Sequence, residues 1–111
     1  MIRVVFWRGT GGLPAGFRVQ GHAGYRPKGE DIVCAAVSAL AQTAVISLKD
    51  HLPAAPEVNI RDGVLECRLP ASLNATAQEQ ARVILRTIEL GLKAIAGDYK
   101  QYVTIEYEGR E

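Results

Sequence analysis

The feature that most constrains the fold is a long uncharged run from Ile32 to Leu48. Asp31 precedes it and is a good helix N-cap, because its carboxylate can accept the unpaired N–H groups of the next turn. We therefore predict a helix from Ile32 to about Asp50 with apolar residues on most of its sides. Such a helix must be covered by other parts of the protein on more than one side. The run is at the lower length limit of a membrane span and includes serines and a glutamine, so we interpret it as a buried helix of a soluble protein.

Strand patterns and one more helix surround this core helix. Strands are predicted at 2–7, 17–23, 58–60, 64–69 and 102–107, with loops at 8–16 and 24–30. Asp62-Gly63 is a strong hairpin signal between the third and fourth strands. A second helix starts near Asn74 or Thr76, where Thr76 and Glu79 form a capping box, and stops near Gly97. The order strand-strand-helix-strand-strand-helix-strand predicts an α+β fold, a single domain over 1–111 with two long helices packed on one sheet.

Composition excludes several classes of protein. With 111 residues, 48% hydrophobic content and a net charge of +1, the chain is neither disordered nor a strongly basic nucleic-acid binder. The N-terminus is interrupted too early by Arg3 and by glycines for a signal peptide, so we expect a cytoplasmic protein with free thiols. No residue spacing predicts a metal site, and no cofactor is expected. Five cations without an acid occupy the first 28 residues, namely Arg3, Arg8, Arg18, Arg26 and Lys28.

One histidine and one cysteine form the candidate site. His22 stands at the end of the predicted second strand and Cys34 in the first turn of the helix, where exposed N–H groups favour a thiolate. The imidazole could take the thiol proton and return it to a leaving group. Ser38 lies one turn further on the same face and could hydrogen-bond the nucleophile. Asp31 could cap the helix or orient His22.

Simpler interpretations of these residues remain open at this point. A cysteine in an alanine-rich helix is usually a small buried residue, and a lone histidine near glycines is often a surface residue. Cys67 alternates with charged neighbours on its predicted strand and is interpreted as a core residue.

The segment GHAGYRPKGEDIVCAAVSAL resembles Prp, a family of ribosomal-processing cysteine proteases. The resemblance implies that His22 and Cys34 are the catalytic pair and that Asp31 and Ser38 support them. It also implies a homodimer, with a mobile loop beside the site, that removes the N-terminal extension of the twenty-seventh large-subunit ribosomal protein. We therefore predict a cytoplasmic cysteine endopeptidase that needs neither a membrane nor nucleic acid.

Two alternative functions are compatible with the residues. A non-enzymatic ribosome-associated binding module would use the cationic first quarter of the chain. Another thiol enzyme, such as an acyltransferase, would use the same cysteine and histidine. Cleavage that depends on Cys34 distinguishes a protease from both.

Overall fold

The computed structural model describes residues 1–27 and 29–109, and Lys28 of the predicted loop lies outside the described residues. Seven main elements follow one another along the chain: β1 (Ile2–Arg8), β2 (Pro14–Gln20), α1 (Ile32–His51), β3 (Glu57–Arg61), β4 (Val64–Arg68), α2 (Ala75–Asp98) and β5 (Val103–Gly109). The strands form one sheet in the order β3-β4-β2-β1-β5, in which only the β1–β5 pair is parallel. The two helices pack on this sheet, so the predicted α+β fold is confirmed.

The two faces of the sheet differ in chemistry. Alternation along β1 turns Val4 and Phe6 toward the helices, where they pack with Phe17 and other buried side chains of the core. The other side, here called the open face, carries mainly charged side chains. Val5 and Trp7 are buried on the open face although no helix covers them.

The second strand is displaced relative to the prediction, and glycines explain both ends. β2 starts at Pro14 rather than Phe17, because Gly16 (φ 145°) keeps the glycine-rich segment paired with both neighbouring strands. A Cβ at Gly16 would lie 2.1 Å from the carbonyl oxygen of Cys67, so only glycine fits there. At the other end Gly21 (φ 93°) stops the strand at Gln20, before the predicted end at Ala23. His22 therefore lies beyond the strand, in the connection that leads to α1.

The second helix is capped by a different residue from the predicted pair. Asn74 is the N-cap, and its side-chain oxygen accepts the N–H of Ala77 at 2.8 Å. The prediction of a capping box at Thr76 and Glu79 is wrong, since the helix already begins at Ala75. The helix also runs through Gly97 to Asp98.

Helix α1 is covered on one side and uncovered on the other. It runs from Ile32 to His51, as the uncharged run predicts, and buries a stripe that includes Val33, Val37 and Leu48. Its length and composition would also suit a membrane-crossing helix, a test that the core helix of a soluble protein passes as well. Ile32 and Ile46 are 58% and 66% exposed, so the uncovered side of the helix carries two large apolar side chains among small and polar ones.

Candidate active site

Asp31 organises the start of α1 with both of its carboxylate oxygens. Oδ1 accepts the N–H groups of Val33 at 3.0 Å and Cys34 at 2.9 Å, which confirms the predicted N-cap. Oδ2 accepts the N–H of Tyr25 at 3.0 Å, from the loop that precedes the helix. Desolvation alone would raise the pKa of Asp31, but the backbone N–H groups of Cys34, Arg26 and Tyr25 outweigh it and hold the pKa below its ordinary value. The ionised carboxylate of Asp31 thus links the loop to the start of the helix.

The thiol of Cys34 meets the segment that follows β2. The N–H of Ala23 donates to Cys34 Sγ at 3.3 Å, and Ala23 itself is buried. The residue Cys34 as a whole is partly exposed and packs in part against the core. The structure therefore brings together the strand end and the helix start, as the sequence predicts.

The imidazole of His22 lies over the β3–β4 hairpin. A Cβ built on Gly63 would be 3.5 Å from His22 Nε2, and the N–H of Gly21 donates to the carbonyl of Gly63 at 2.9 Å. Although both side chains belong to the described part of the chain, no hydrogen bond joins His22 to Cys34. His22 directly precedes Ala23, whose N–H contacts the thiol. The ring of His22 is turned toward the hairpin.

Ser38 points away from the thiol in this structure. Its hydroxyl accepts a hydrogen bond from Gln42 Nε2 at 2.9 Å on the exposed side of α1. Within the described ranges it makes no hydrogen bond to Cys34. Asp31 likewise serves the loop and the helix rather than His22. Spacing along the helix predicted where these residues lie, but not what they bind.

An aromatic cluster that the sequence did not predict fixes the start of the loop. The ring of Tyr25 stands edge-on to Tyr99 at 5.6 Å and to Tyr102 at 5.2 Å between centroids. These partners come from the turn between α2 and β5, more than seventy residues away in the chain. Tyr25 is therefore held by Asp31 through its backbone and by two tyrosines through its ring.

Cys67 has the opposite environment to Cys34. Its side chain is fully buried on β4, and burial raises the pKa of this thiol to about 11, with Lys49 opposing the shift. The prediction that Cys67 is a core residue is confirmed. In the part of the chain that the structure describes, no group of three or more His, Cys, Asp or Glu side chains could hold a metal.

Comparison with known proteins identifies the family of this chain. The family model described as cysteine protease Prp matches residues 1–104. The ribosomal processing cysteine protease Prp of Bacillus subtilis is 30% identical over 92 residues, which cover 80% of this chain and 81% of that protein. The structure of Prp from S. aureus with a covalently linked product peptide has a TM-score of 0.84 at 27% identity, covering 97% of this chain and 100% of the other. A second S. aureus Prp structure, with a substrate peptide, has a TM-score of 0.79 at 26% identity, with coverage of 97% and 100%. The chain therefore belongs to the Prp family of cysteine proteases.

Proposed function

We propose that this protease removes the N-terminal extension of the twenty-seventh large-subunit ribosomal protein in the cytoplasm. The observation that carries the proposal is the partly exposed Cys34 thiol at the start of α1, which accepts the N–H of Ala23. The Bacillus subtilis relative is named for ribosomal processing, and the S. aureus relative holds a substrate peptide in one structure and a covalently linked product peptide in another. Both relatives support a peptide substrate for this chain.

Cys34 acts as the nucleophile and His22 as the base. The N–H of Ala23, which donates to Sγ, can stabilise the negative charge that develops there. His22 takes the thiol proton after its ring turns from Gly63 toward the sulfur, because catalytic contacts often tighten only when substrate binds. Sγ then bonds to the scissile carbonyl carbon, and His22 returns the proton to the leaving amine as the C–N bond breaks. Water, deprotonated by His22, hydrolyses the thioester.

The oxyanion of this reaction needs a donor beside the sulfur. The N–H groups of Val33 and Cys34, at the start of the helix, are already bonded to Asp31. The N–H of Ala23 lies 3.3 Å from Sγ and can transfer its hydrogen bond to the oxygen of the attacked carbonyl. We therefore assign the oxyanion contact to the N–H of Ala23.

Asp31 and Ser38 have supporting roles in this proposal. Asp31 and the ring contacts of Tyr25 anchor one end of the 24–30 loop, which closes over an extended peptide. Ser38 lies exposed one turn beyond Cys34, where its hydroxyl can contact the bound peptide. Their effect on cleavage is therefore positional rather than chemical.

The binding-module alternative is weakened by charge pairing. It depended on the cationic first quarter of the chain, but β5 supplies acids to two of these cations. Arg3 pairs with Glu106 at 2.8 Å and Arg18 lies 3.8 Å from Glu108. The family itself supports proteolysis over an acyltransferase.

A homodimer remains part of the proposal. Its support is the exposure of Ile32 and Ile46 on the uncovered side of α1, since burial of these side chains against a partner would be favourable. Light scattering at micromolar concentration should give the mass of two chains, and Ile46→Glu should give the mass of one. A monomeric mass for the unaltered protein would contradict the homodimer.

The substrate is tested with the ribosomal protein itself. Purified protease is incubated with the twenty-seventh large-subunit ribosomal protein bearing its extension and, in parallel, with the same protein lacking it. We expect one cut, located by mass spectrometry at the end of the extension, and none in the shortened protein. Cuts spread over the folded body of the substrate, or an intact extension, would contradict the proposed substrate.

A further inference from the structure

A second pocket lies at the opposite end of the sheet from Cys34. Its volume is about 590 Å³, and it is bounded by the β1–β2 loop, the β4–α2 linker and the end of β5. We call it the far pocket and define it by Trp7, Arg18, Arg68 and Leu69 with their neighbours in these segments. Most of its lining comes from the Pro14 end of β2, whereas His22 follows the other end of this strand. Arg18, the lining residue on β2 that is nearest to His22 in the chain, is still roughly 13 Å from it at the usual rise per residue. The far pocket is therefore separate from the proposed proteolytic site.

Two guanidinium groups converge in the far pocket on one indole ring. Arg68 Cζ lies 3.9 Å and Arg18 Cζ 5.7 Å from the centre of the Trp7 ring. The sheet register explains the convergence: Arg68 is opposite Gly16, two residues from Arg18, so the two arginines are diagonal neighbours on the open face. Trp7 and Arg68 are both register partners of Gly16, so the indole and Arg68 lie in one row across β1, β2 and β4.

The two arginines differ in how far their donors are already used. Arg68 pairs with no carboxylate within 4.0 Å among residues 1–27 and 29–109, whereas Arg3 and Arg61 each bond one, Glu106 at 2.8 Å and Glu66 at 3.0 Å. Arg18 leaves its buried Nε without a partner in the same ranges but pairs through a terminal nitrogen, at 3.8 Å, with the exposed carboxylate of Glu108, which also lines the pocket. A buried donor without an acceptor is costly, and an anion in the pocket would remove that cost.

The walls of the pocket indicate the chemistry of its ligand. Guanidinium groups bind phosphate through paired N–H donors, and a tetrahedral phosphate offers oxygens to both arginines at once. Leu69, Pro70 and Leu73 supply an apolar wall in the same pocket. Its volume lies within the range of small-molecule sites, about 300–1,000 Å³. We propose that the far pocket binds a phosphate group carried by a ring-bearing ligand, as in a nucleotide, with the phosphate on Arg18 and Arg68. This proposal does not rest on the proposed proteolysis.

Trp7 makes the proposal directly measurable, because it is the single tryptophan of the chain. The full-length protein is titrated with AMP, inorganic phosphate, adenosine and a short single-stranded RNA, and tryptophan fluorescence is excited where the bases do not absorb. We expect a saturable change with AMP, a weaker one with inorganic phosphate and none with adenosine. Tighter binding of the RNA than of AMP would identify a backbone phosphate as the source of the ligand, and weaker binding a free nucleotide.

Three variants of the pocket and one control variant decide whether the arginines are responsible. Arg68→Gln and Arg18→Gln should each weaken AMP binding roughly tenfold or more, because each removes charged hydrogen bonds. Arg18→Lys keeps the positive charge over the indole, so it tests Arg18 again if Arg18→Gln does not fold. Arg61→Gln, on the same face but outside the pocket, is the matched control and should bind AMP normally. Peptide cleavage should be unchanged in Arg68→Gln.

Three results would overturn the proposal. The first is the absence of a saturable change with AMP and phosphate at millimolar concentration, since the arginines would then only cover Trp7. The second is equal weakening in Arg61→Gln, which would indicate general electrostatic attraction. The third is equal binding of adenosine and AMP, which would exclude a phosphate site.

Discussion

Cys34 and Cys67 carry the same thiol in two different surroundings. Cys34 opens a helix, is partly exposed and accepts an N–H at its sulfur. Cys67 faces the core from β4, is 0% exposed, and burial raises its pKa to about 11. A thiol reacts as thiolate, so the polar groups around the sulfur decide its chemistry. The comparison indicates that Cys67 serves packing, and it supports the proposal that Cys34 serves catalysis.

The two sites also differ in how they are assembled. Cys67 is placed by a single regular strand, opposite Phe17 on β2 and Val58 on β3. Cys34 is placed by three irregular features: a capped helix start, the turn after β2 and the loop held by Asp31. Regular packing hides a thiol, whereas irregular connections leave donors and solvent beside it.

Replacement of each cysteine by alanine should give the largest contrast. Cys34→Ala should lower kcat/KM for peptide cleavage by at least about a thousandfold, because the nucleophile is lost. Cys67→Ala should keep kcat/KM near that of the unaltered protein and lower the free energy of unfolding by roughly 1–2 kcal/mol through a small cavity. Steady-state kinetics and urea unfolding measure the two effects. Loss of cleavage in a folded Cys67→Ala protein would break the comparison.

The two histidines allow a matched test of the proposed base. His22→Ala should lower kcat by about 10²- to 10⁴-fold, because proton transfer from the thiol and to the leaving amine is lost. His51→Ala should have little effect on kcat, since His51 sits at the far end of α1 with its Nδ1 2.8 Å from the carbonyl oxygen of Ser47. Equal rates for the two variants would remove His22 from the mechanism.

Asp31 tests whether the anchored loop matters for the reactive thiol. Asp31→Ala should lower kcat/KM by roughly tenfold and reduce the melting temperature, because the cap and the loop contact both disappear. Asp50→Ala, at the other end of α1, is the control and should change neither.

The pKa of Asp31 is lowered in the folded protein, so the stabilisation that Asp31 provides is present above its unfolded pKa and is lost as pH falls through its folded pKa. The stability gap between the unaltered protein and Asp31→Ala should therefore shrink in acid, and a gap independent of pH would contradict this role.

Cys67 should produce the smallest effect, a dependence of stability on alkaline pH. Burial raises its pKa from 9.0 to about 11, so the neutral thiol is favoured in the folded state. Its stabilisation is present below the unfolded pKa and lost as pH rises from about 9 to 11. The unaltered protein should lose more unfolding free energy than Cys67→Ala over this interval. Parallel losses in both proteins would show that the thiol is not effectively buried.

Local patterns predicted most of the fold. The uncharged run with Asp31 before it predicted α1 and its cap, and alternation predicted that Cys67 faces inward. The Asp-Gly pair predicted the β3–β4 hairpin. The capping box at Thr76 failed because Asn74, two residues earlier, captures the N–H of Ala77 and starts the helix first.

The arrangement inside the site could be predicted only in part. Spacing brought the segments of His22 and Cys34 together, but the direction of the imidazole depends on Gly63, which is distant in the chain. The ring contacts of Tyr25 depend on Tyr99 and Tyr102 in the same way. No local periodicity reports such contacts, since they arise only when the sheet order β3-β4-β2-β1-β5 is formed.

The most direct test of the catalytic cysteine is to locate the acylated residue. Enzyme and peptide substrate are mixed, quenched in acid during turnover and digested, and the fragments that contain Cys34 and Cys67 are weighed by mass spectrometry. We expect the mass of the acyl half of the substrate on the fragment with Cys34 and none on the fragment with Cys67. An adduct on Cys67, or turnover by Cys34→Ala at the rate of the unaltered protein, would contradict the assignment of Cys34 as the nucleophile.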